Sequence, residues 1–368
     1  MLMASRPIDL SIIVPTFNES KNIAEFLHRL EATLGPAGWE IIFVDDDSPD
    51  RTASVVRDIA RCDSRVRCLQ RIGRCGLSSA VIEGMLASSA PIVAVMDADM
   101  QHDETILPQM VAEIEQGGAE VVVATRYDAA GGKGDWGATR KAMSHLATKA
   151  SHAAVKHRVS DPMSGFFMID HKILDSIVHN LSGLGFKILL DILGSTERPL
   201  RVAEVPYRFG HRFAGESKLD PMAIWEYGML LADKKFGRII PVRILSFSII
   251  GSLGVFIHMA VLTLALKGMA LNFTAAQSIA IGTAMIFNYT LNNLLSYRDR
   301  YQKGLAWFRG LIGFVIACSI GAVANIGIAS YMFANHTHWI IAALAGIWVG
   351  AVWNIAVTQL YTWSKKAV

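Results

Sequence analysis

The stretch that decides the fold is PIVAVMDADMQ, residues 91–101, in which an apolar run ends in two aspartates. Pro91–Met96 has the length and the valine and isoleucine content of a buried strand. Asp97 and Asp99 follow it directly, and side chains at positions i and i+2 of an extended chain point to the same side. Two carboxylates held this closely repel each other unless a cation lies between them or one is protonated. Because oxygen ligands favour hard ions, the stretch predicts an Mg²⁺ or Mn²⁺ site, and a loop or helix cap is the weaker alternative.

A second acidic motif, VDDDS at residues 44–48, follows the earlier predicted strand Glu40–Val44. Taken alone, these acids could equally form a solvated turn in which Asp50 caps a helix that begins at Thr52. Since the carboxyl ends of parallel strands share one edge of a sheet, the two motifs together favour a nucleotide site. In such a site a metal bridges the diphosphate to one motif, and a carboxylate of the other accepts a hydrogen bond from the ribose or the base.

Strand-like and helix-like patterns alternate on both sides of this stretch. The predicted strands are Leu10–Val14, Glu40–Val44, Val66–Leu69, Pro91–Met96 and Glu120–Ala124, and the predicted helices are Glu19–Leu34, Thr52–Cys62, Ser78–Ala90 and Glu104–Gln116. This alternation is typical of an α/β fold, a mostly parallel sheet with flanking helices on both faces.

The last third of the chain has a different composition. Of the 368 residues 52% are hydrophobic and only 18% are charged, and the mean hydropathy of +0.34 is too apolar for an ordinary soluble protein. Four uncharged stretches each reach the ~20 residues that cross a bilayer. They are Ile244–Leu266, Phe273–Tyr297, Leu311–Phe333 and Trp339–Trp363. The sequence therefore predicts an all-α transmembrane domain of four helices.

Loop charges predict the orientation of these helices, because cytoplasmic loops carry an excess of lysine and arginine. The first and third connections hold Lys267 alone or no base, whereas the second connection and the tail hold Arg298, Arg300, Lys303, Arg309, Lys365 and Lys366. Both termini and the amino-terminal domain are therefore expected in the cytoplasm, in an integral protein of the cell inner membrane with four spans.

Residues 1–241 contain 27 bases and 31 acids, a net charge of −4. This balance lacks the basic stripe of a nucleic-acid surface, so no nucleic-acid partner is expected. Between the two parts, residues 219–241 mix apolar residues with Lys234, Lys235 and Arg238. They predict an amphipathic helix at the membrane surface with its bases near lipid headgroups, and a plain helix that closes the domain is the alternative. The predicted domains are thus 1–218, 219–241 and 242–368.

Five motifs, in this order, carry a resemblance to a known family. They are PTFNE (residues 15–19), VDDDS (44–48), DADMQH (97–102), DPMSGFF (161–167) and RFAGESK (212–218). Together they resemble the family-2 glycosyltransferases with the GT-A fold, and within these the dolichyl-phosphate (polyprenyl-phosphate) mannose synthases. The resemblance covers residues 9–240, and the four spans resemble the GtrA-like membrane domain.

The resemblance implies roles for individual residues on the donor side. Positions matched to the guanosine end of GDP-mannose are Pro15, Phe17, Glu19, Val44 and Asp46. Phe17 stands where the family usually has tyrosine, so a hydroxyl contact is lost. The metal and diphosphate site matches Asp97, Ala98, Asp99, Met100 and Gln101, with Asp99 and Gln101 as the direct metal ligands. Arg212 and Lys218 match further contacts to the donor diphosphate.

The acceptor side of the resemblance consists of Arg126, Arg140 and Ser144, which match groups that receive the lipid phosphate. Chemistry supports these roles, since a polyprenyl phosphate is already an anionic nucleophile near pH 7 and needs no strong general base. Arginines can hold its phosphate in a bidentate way, while the metal neutralises charge on the departing diphosphate. Asp97, Asp99, Arg126 and Arg140 are therefore the expected catalytic residues.

The expected reaction is transfer of a hexose to a polyprenyl phosphate on the cytoplasmic leaflet, with inversion at the sugar C1. The first expectation for the donor is GDP-mannose, so that the hexose is mannose. Two alternatives stay open at this point. One is a glucosyltransferase that uses UDP-glucose (more generally a UDP-hexose), and the other is a lipid-sugar translocator or scaffold in which the membrane domain dominates. The sequence also leaves open whether the membrane domain forms a homo-oligomer. Polar residues within the spans, His258, Asn288, Asn292, Asn293, Asn325 and Asn354, indicate either a polar path or helix–helix hydrogen bonds.

Overall fold

The computed structural model describes residues 8–73, 76–126, 149–151, 155, 159–210, 221–236, 242–296 and 301–357. The chain divides into two compact units, Met1–Pro241 and Val242–Val368.

A seven-stranded sheet forms the centre of the first unit. Its strands are β1 (Leu10–Thr16), β2 (Trp39–Asp45), β3 (Val66–Gln70), β4 (Ile92–Val95), β5 (Val121–Thr125), β6 (Phe167–Asp170) and β7 (Val202–Pro206). The order across the sheet is β3-β2-β1-β4-β6-β5-β7, and β6 alone runs antiparallel to its two neighbours. The predicted mostly parallel sheet is confirmed, with β6 and β7 as strands that the sequence pattern had not shown.

Helices cover both faces of this sheet. They are α1 (Ile23–Leu34), α2 (Thr52–Ala60), α3 (Leu77–Ala87), α4 (Leu107–Glu115), α5 (His171–Ile177), α6 (Ile188–Ser195) and α7 (Pro221–Phe236). Alternate residues of β1 serve opposite faces, as the pleat of a strand requires. Ile12 lies in a core cluster with Phe26 of α1 and Met110 of α4, whereas Ile13 lies in a second cluster with Met85 of α3 and Leu189 of α6.

Helix α7 packs against the rest of the first unit through the apolar side chains of Met229 and Leu230, which are both buried. Lys234 is buried with them, and its side chain is only 5% exposed. Its ammonium nitrogen lies 2.5 Å from a carboxylate oxygen of Asp191 and 3.0 Å from the hydroxyl of Ser195, both on α6. The expectation that Lys234 lies near lipid headgroups is therefore wrong. The periodicity of apolar residues in a sequence cannot distinguish a lysine on a solvent-exposed helix face from a lysine that is paired with a buried carboxylate.

The described residues of the second unit form four long helices: α8 (Val242–Thr263), α9 (Phe273–Leu291), α10 (Gly304–Ala334) and α11 (Trp339–Val357). A π-helical turn follows α8 at Leu264–Gly268 and another follows α9 at Asn292–Ser296. Among the described residues, two segments are both long and apolar enough to cross a membrane, Leu245–Gly268 and Gly304–Ala334, each with a mean hydropathy of 2.2. Small side chains such as Ala276, Ala280 and Ala343 fill one interior cluster of this unit.

Replacement of Lys234 by methionine should destabilise the first unit. The change leaves the fully buried Asp191 carboxylate without its cation, and loss of one partner of a buried ion pair costs about 3–5 kcal/mol. Lys235→Met removes an exposed neighbour and serves as the control. Thermal unfolding of the purified full-length variants should show a clear drop in midpoint for Lys234→Met alone. Equal midpoints for the two variants would contradict the buried pair.

Candidate active site

The ends of four strands lie along one edge of the sheet. Strands β1, β2, β4 and β5 run in the same direction, because β6 is antiparallel to both β4 and β5. The residues that follow them, Phe17, Asp46, Asp97 and Arg126, are therefore all delivered to the carboxyl edge. The structure thus brings together the predicted donor, metal and acceptor residues that lie among the described positions.

The Asp97–Gln101 segment forms a tight loop directly after β4. The backbone N–H of Gln101 donates to a carboxylate oxygen of Asp99 at 3.1 Å, and Met100 takes a left-handed conformation with φ of 60°. The Asp99 residue is 7% exposed, whereas the side chain of Asp97 is 41% exposed. The side chains of Ala98 and Met100 lie in the first core cluster. These two residues can meet a donor only through their backbone.

His102 fixes the other end of this loop. Its Nδ1 accepts a hydrogen bond from the backbone N–H of Asp97 at 3.1 Å, so the ring proton is assigned to Nε2, which lies 3.8 Å from Oδ2 of Asp97. The ring stacks on Phe166 with centroids 5.2 Å apart, and Tyr207 and Phe209 meet it edge-on. Burial, the largest cause, lowers the pKa of His102 to about 4, so the imidazole is neutral near pH 7.

Gly165 lets Asp97 and His102 approach the start of β6. A Cβ atom at this position would lie 3.3 Å from Oδ2 of Asp97 and 3.6 Å from Cε1 of His102. A side chain there would require the Asp97 carboxylate to shift by a few tenths of an ångström. The glycine of the DPMSGFF motif therefore has a packing role at the site.

The segment after β7 is hydrogen-bonded to the metal motif. The Gln101 side-chain amide donates to the carbonyl of Gly210 at 3.2 Å, and the Gly210 N–H donates to the Gln101 carbonyl at 2.8 Å. With Nε2 committed to Gly210, the amide oxygen of Gln101 is turned the other way. Arg212 and Lys218 come shortly after this segment and, like Arg140 and Ser144, lie outside the described residues.

Arg126 emerges from β5 and is held in a fixed geometry. Its Nε and Nη2 donate to the two carboxylate oxygens of Asp161 at 2.7 and 3.0 Å. The Asp161 carboxylate is 1% exposed, and the guanidinium carbon lies 5.6 Å from the ring centroid of Phe209. This fork-to-fork pair and the aromatic ring orient the guanidinium without any ligand.

Lys187 joins this group although no sequence motif marks it. Its ammonium donates to the carbonyl of Met163 at 3.1 Å and lies 4.6 Å from the ring centroid of Phe186. Burial, the largest cause, lowers the pKa of Lys187 to about 8, and Arg126 lowers it further against the opposing effect of Asp161 and Asp97. A cation in electrostatic range of both the metal motif and Arg126 belongs to the same site. Only the packing of residues 161–167 against 186–188 could reveal it.

The VDDDS motif divides into residues with different tasks. Asp45 is fully buried and accepts hydrogen bonds from Ser48 and Thr16, so it holds the turn. Asp46 accepts from the Gly76 N–H at 2.8 Å and pairs with the guanidinium of Arg71 at 2.9 Å. Burial, the largest cause, raises the pKa of the Asp46 carboxyl, while Gly76 and Arg71 act in the opposite direction.

Arg71, with its side chain 2% exposed, is the second charged residue that the sequence pattern missed. It also donates to the hydroxyl of Ser79 at 2.7 Å. The capping role expected of Asp50 is present as well, since the Thr52 N–H donates to it at 3.0 Å.

The remaining donor-side residues lie near the ends of β1 and β2. Phe17 is 48% exposed at the carboxyl edge. Glu19 and Pro15 are half-buried nearby, and the Glu19 carboxylate accepts from the Asn22 side chain. Val44 is fully buried in the second core cluster, so its side chain faces the sheet interior.

Comparison with known proteins identifies both units. Residues 11–178 match the family described as "Glycosyl transferase family 2", and residues 246–363 match "GtrA/DPMS, transmembrane domain". A dolichol-phosphate mannosyltransferase of Pyrococcus furiosus is 32% identical over 359 residues, which are 96% of this chain and 99% of that protein. The dolichol-phosphate mannosyltransferase of Saccharomyces cerevisiae is 34% identical over 244 residues, 62% of this chain and 89% of that protein.

Among solved structures, glucosyl-3-phosphoglycerate synthase from Mycobacterium tuberculosis, in complex with Mn²⁺ and UDP, is similar at a TM-score of 0.47 and 19% identity. The similarity covers 61% of this chain and 79% of that one. The Pyrococcus furiosus relative is matched over nearly its whole length, and the match spans both units of this chain. The chain belongs to the dolichol-phosphate mannosyltransferase family, and in this chain a GT-A glycosyltransferase domain is followed by a GtrA/DPMS transmembrane domain.

Proposed function

We propose that this protein transfers a mannosyl group from GDP-mannose to a polyprenyl phosphate on the cytoplasmic leaflet, with inversion, to give polyprenyl phosphate β-D-mannose. The observation that carries the proposal is the shared carboxyl edge, where the acidic loop after β4 lies beside Arg126 and Lys187. Acidic ligands for a metal and cations for phosphates are what transfer between two phosphate-bearing substrates requires.

The side chains after β4 fit a divalent cation that is shared with the donor. Asp99 and the amide oxygen of Gln101 would hold it, and the described residues contain no group of three or more histidine, cysteine or acidic side chains that could form a closed protein cage. Mg²⁺ typically keeps one or two carboxylate ligands and takes the rest from substrate phosphates and water. When bound, the ion supplies Lewis-acid stabilisation of the leaving diphosphate.

His102, neutral and buried, is not the general base that transfer to a hydroxyl acceptor would need. Its Nδ1 is occupied by the Asp97 N–H and its Nε2 carries a proton, so the imidazole has no lone pair with which to take a proton from an acceptor. A polyprenyl phosphate is already ionised near pH 7 and reacts without such a base. His102 therefore acts by positioning Asp97 through their hydrogen bond.

The positive charge of Arg126 is paired with the Asp161 carboxylate before any substrate binds. Arg126, fixed by Asp161, would receive the lipid phosphate together with Arg140 and Ser144. Lys187 would stabilise the diphosphate together with Arg212 and Lys218, which follow Gly210 in the sequence. Because Asp161 already orients the guanidinium, phosphate binding has little side-chain ordering to offset.

On the donor side, Phe17 would stack on the guanine and Asp46 would accept a hydrogen bond from the nucleoside. Asp46 is suited to this because Arg71 and the Gly76 N–H fix its carboxylate from behind. Pro15, Glu19 and the backbone of Val44 would complete the surface around the nucleoside.

The membrane domain is proposed to cross the bilayer four times, with both termini and the catalytic domain in the cytoplasm. The basic connection between α9 and α10, together with the basic tail, supports this orientation. Nucleotide sugar and lipid phosphate then meet on one side of the membrane.

The direct test is transfer of labelled hexose to a short-chain polyprenyl phosphate by the purified full-length protein with Mn²⁺. GDP-mannose should support turnover and UDP-glucose should not, because Phe17 and Asp46 are assigned to guanosine. The product should be β-linked by proton NMR. Turnover with UDP-glucose but not with GDP-mannose would show that the donor is assigned wrongly. The absence of turnover with any nucleotide sugar would contradict the whole proposal.

Arg126→Lys should raise the KM for polyprenyl phosphate about tenfold or more and spare GDP binding. Lysine keeps the charge opposite Asp161 but cannot form the fork that orients the guanidinium for the phosphate, and a charge-assisted hydrogen bond to that phosphate would contribute about 1.5–3 kcal/mol. Arg198→Lys is the control, since Arg198 forms a comparable forked pair with Glu120 on the surface. Initial rates and GDP titrations would check this, and an equal loss of GDP affinity would move Arg126 to the donor site.

Transfer by the wild-type protein should fall as the pH rises above about 8. The lowered pKa means that the Lys187 ammonium, charged at pH 7, loses its proton in this range and can no longer stabilise a diphosphate. The pH profile of kcat/KM reports groups of the free enzyme. Lys187→Arg should move the alkaline limb to higher pH, while Lys172→Arg, at an exposed lysine, should leave it in place. Identical profiles for all three proteins would exclude Lys187 from donor binding.

A further inference from the structure

Tyr207 carries a buried hydroxyl at the carboxyl edge of the sheet, beside the residues proposed to bind the two substrates. The residue is 7% exposed, and its hydroxyl oxygen makes no hydrogen bond within the described part of the chain. A tyrosine side chain has one polar atom, so its whole hydrogen-bonding capacity is unused. Buried tyrosine hydroxyls usually find a partner, so an unpaired one indicates a partner that binds later.

The fold fixes the backbone of Tyr207 next to the acceptor arginine. Strand β7 runs parallel to β5 and ends at Pro206, so Tyr207 emerges at the same edge of the sheet as Arg126. The Tyr207 N–H donates to the carbonyl of Thr125, the residue before Arg126, at 3.0 Å. The two side chains therefore start from neighbouring positions on paired strands.

Aromatic packing sets the direction of the Tyr207 ring. The ring meets His102 and Phe166 edge-on, with centroids 5.9 and 5.8 Å apart and interplanar angles of 80° and 78°. Both neighbours are buried. The ring is thus oriented by the core and not by a hydrogen bond of its own, which leaves the hydroxyl free to bind a ligand.

The charged groups around this hydroxyl are those of the catalytic site. It lies in electrostatic range of Arg126, Asp161, Asp97 and Asp99, and Arg126 has the strongest effect of the four. Burial, the largest cause, raises the pKa of the Tyr207 hydroxyl, so the group is protonated near pH 7 and can donate. The Asp161 carboxylate accepts from Arg126 and not from Tyr207. A neutral donor and a cation therefore lie close together, which suits an incoming anion.

Phe209 covers this region from the solvent side. Its ring centroid lies 6.3 Å from that of Tyr207 and 5.6 Å from the guanidinium carbon of Arg126, and the residue is 39% exposed. Exposed side chains change rotamer within nanoseconds. A rotation of Phe209 would let a ligand bound to Arg126 reach the hydroxyl without moving the buried rings.

A phosphate group fits this pair of donors best. It offers several acceptor oxygens, so it can bind the guanidinium and the hydroxyl at once. A hydroxyl adds a hydrogen bond without a further buried charge that would need a counter-ion. Since Arg126 is the dominant charged neighbour, the lipid phosphate is favoured over the donor diphosphate.

We propose that the Tyr207 hydroxyl donates a hydrogen bond to the phosphate of the lipid acceptor while Arg126 holds that phosphate. Tyr207 is then a further acceptor-binding residue, and this role rests on the acceptor site proposed around Arg126. The hydroxyl keeps its proton, and its contribution is to bind and orient the phosphate.

The test compares the purified full-length wild type with Tyr207→Phe, which removes the hydroxyl and keeps the ring. Farnesyl phosphate is the acceptor probe, and its Kd is measured by titration without a sugar nucleotide. We expect the Kd to rise about tenfold or more, because a hydrogen bond to a charged group is lost. Farnesol, which lacks the phosphate, should bind both proteins equally, and so should GDP with Mn²⁺.

Thermal unfolding of the ligand-free protein separates this role from a structural one. Tyr207→Phe should not lower the midpoint, since the hydroxyl makes no hydrogen bond there within the described residues. Tyr227→Phe on α7 is the matched control, because the hydroxyl of this half-buried tyrosine is hydrogen-bonded to Ser151. Its loss should lower the midpoint and leave the Kd for farnesyl phosphate unchanged.

Three results for Tyr207→Phe would overturn the proposal: a lowered midpoint with an unchanged Kd, an equal loss of affinity for farnesol, or a raised Kd for GDP. Arg126→Lys is titrated alongside. If Arg126→Lys weakens farnesyl phosphate binding and Tyr207→Phe does not, the Tyr207 assignment alone is wrong. If neither variant weakens it, the acceptor site proposed around Arg126 is wrong as well.

Discussion

The hydrogen bond from the backbone N–H of Asp97 to Nδ1 of His102 is the contact on which the catalytic edge depends. It closes the loop after β4, and the imidazole that accepts it is packed against Phe166, Tyr207 and Phe209. These rings come from the start of β6 and the segment after β7, while Phe209 also lies against Arg126. One buried neutral ring therefore joins the Asp97–Gln101 loop to the segment after β7 and, through Phe209, to Arg126. Since burial keeps its pKa near 4, this role persists throughout the neutral pH range.

Charge at the site is balanced before any substrate arrives. Arg126 is paired with buried Asp161, Asp46 is paired with buried Arg71, and Lys187 lies in electrostatic range of Asp97, Asp161 and Arg126. An unpaired charge buried at the sheet edge would be costly. Pairing each one also fixes its geometry, which is what preorganised stabilisation of developing charge requires.

The parallel strands and the acidic loop after β4 could be predicted from the sequence, because each depends on a local pattern of residues. A short valine-rich run such as residues 91–96 and a following acid pair predict their own structure and their own sheet edge. Strand β6 was not predicted because the alternation of parallel strands and helices has no place for a strand inserted antiparallel between β4 and β5. Lys187 and Arg71 were not predicted because their partners are distant in sequence and only the fold brings them together. Lys234 was misread for the related reason that its partner, Asp191, lies on another helix.

The most direct test of the donor-site assignment is anomalous diffraction from crystals of the full-length protein grown with GDP and Mn²⁺. The account predicts one manganese peak at the end of β4, with the Asp99 carboxylate, the Gln101 amide oxygen and diphosphate oxygens as ligands. It also predicts the guanine beside Phe17 at the end of β1. A manganese peak away from the 97–101 loop, or GDP bound elsewhere than at the carboxyl edge of the sheet, would contradict it.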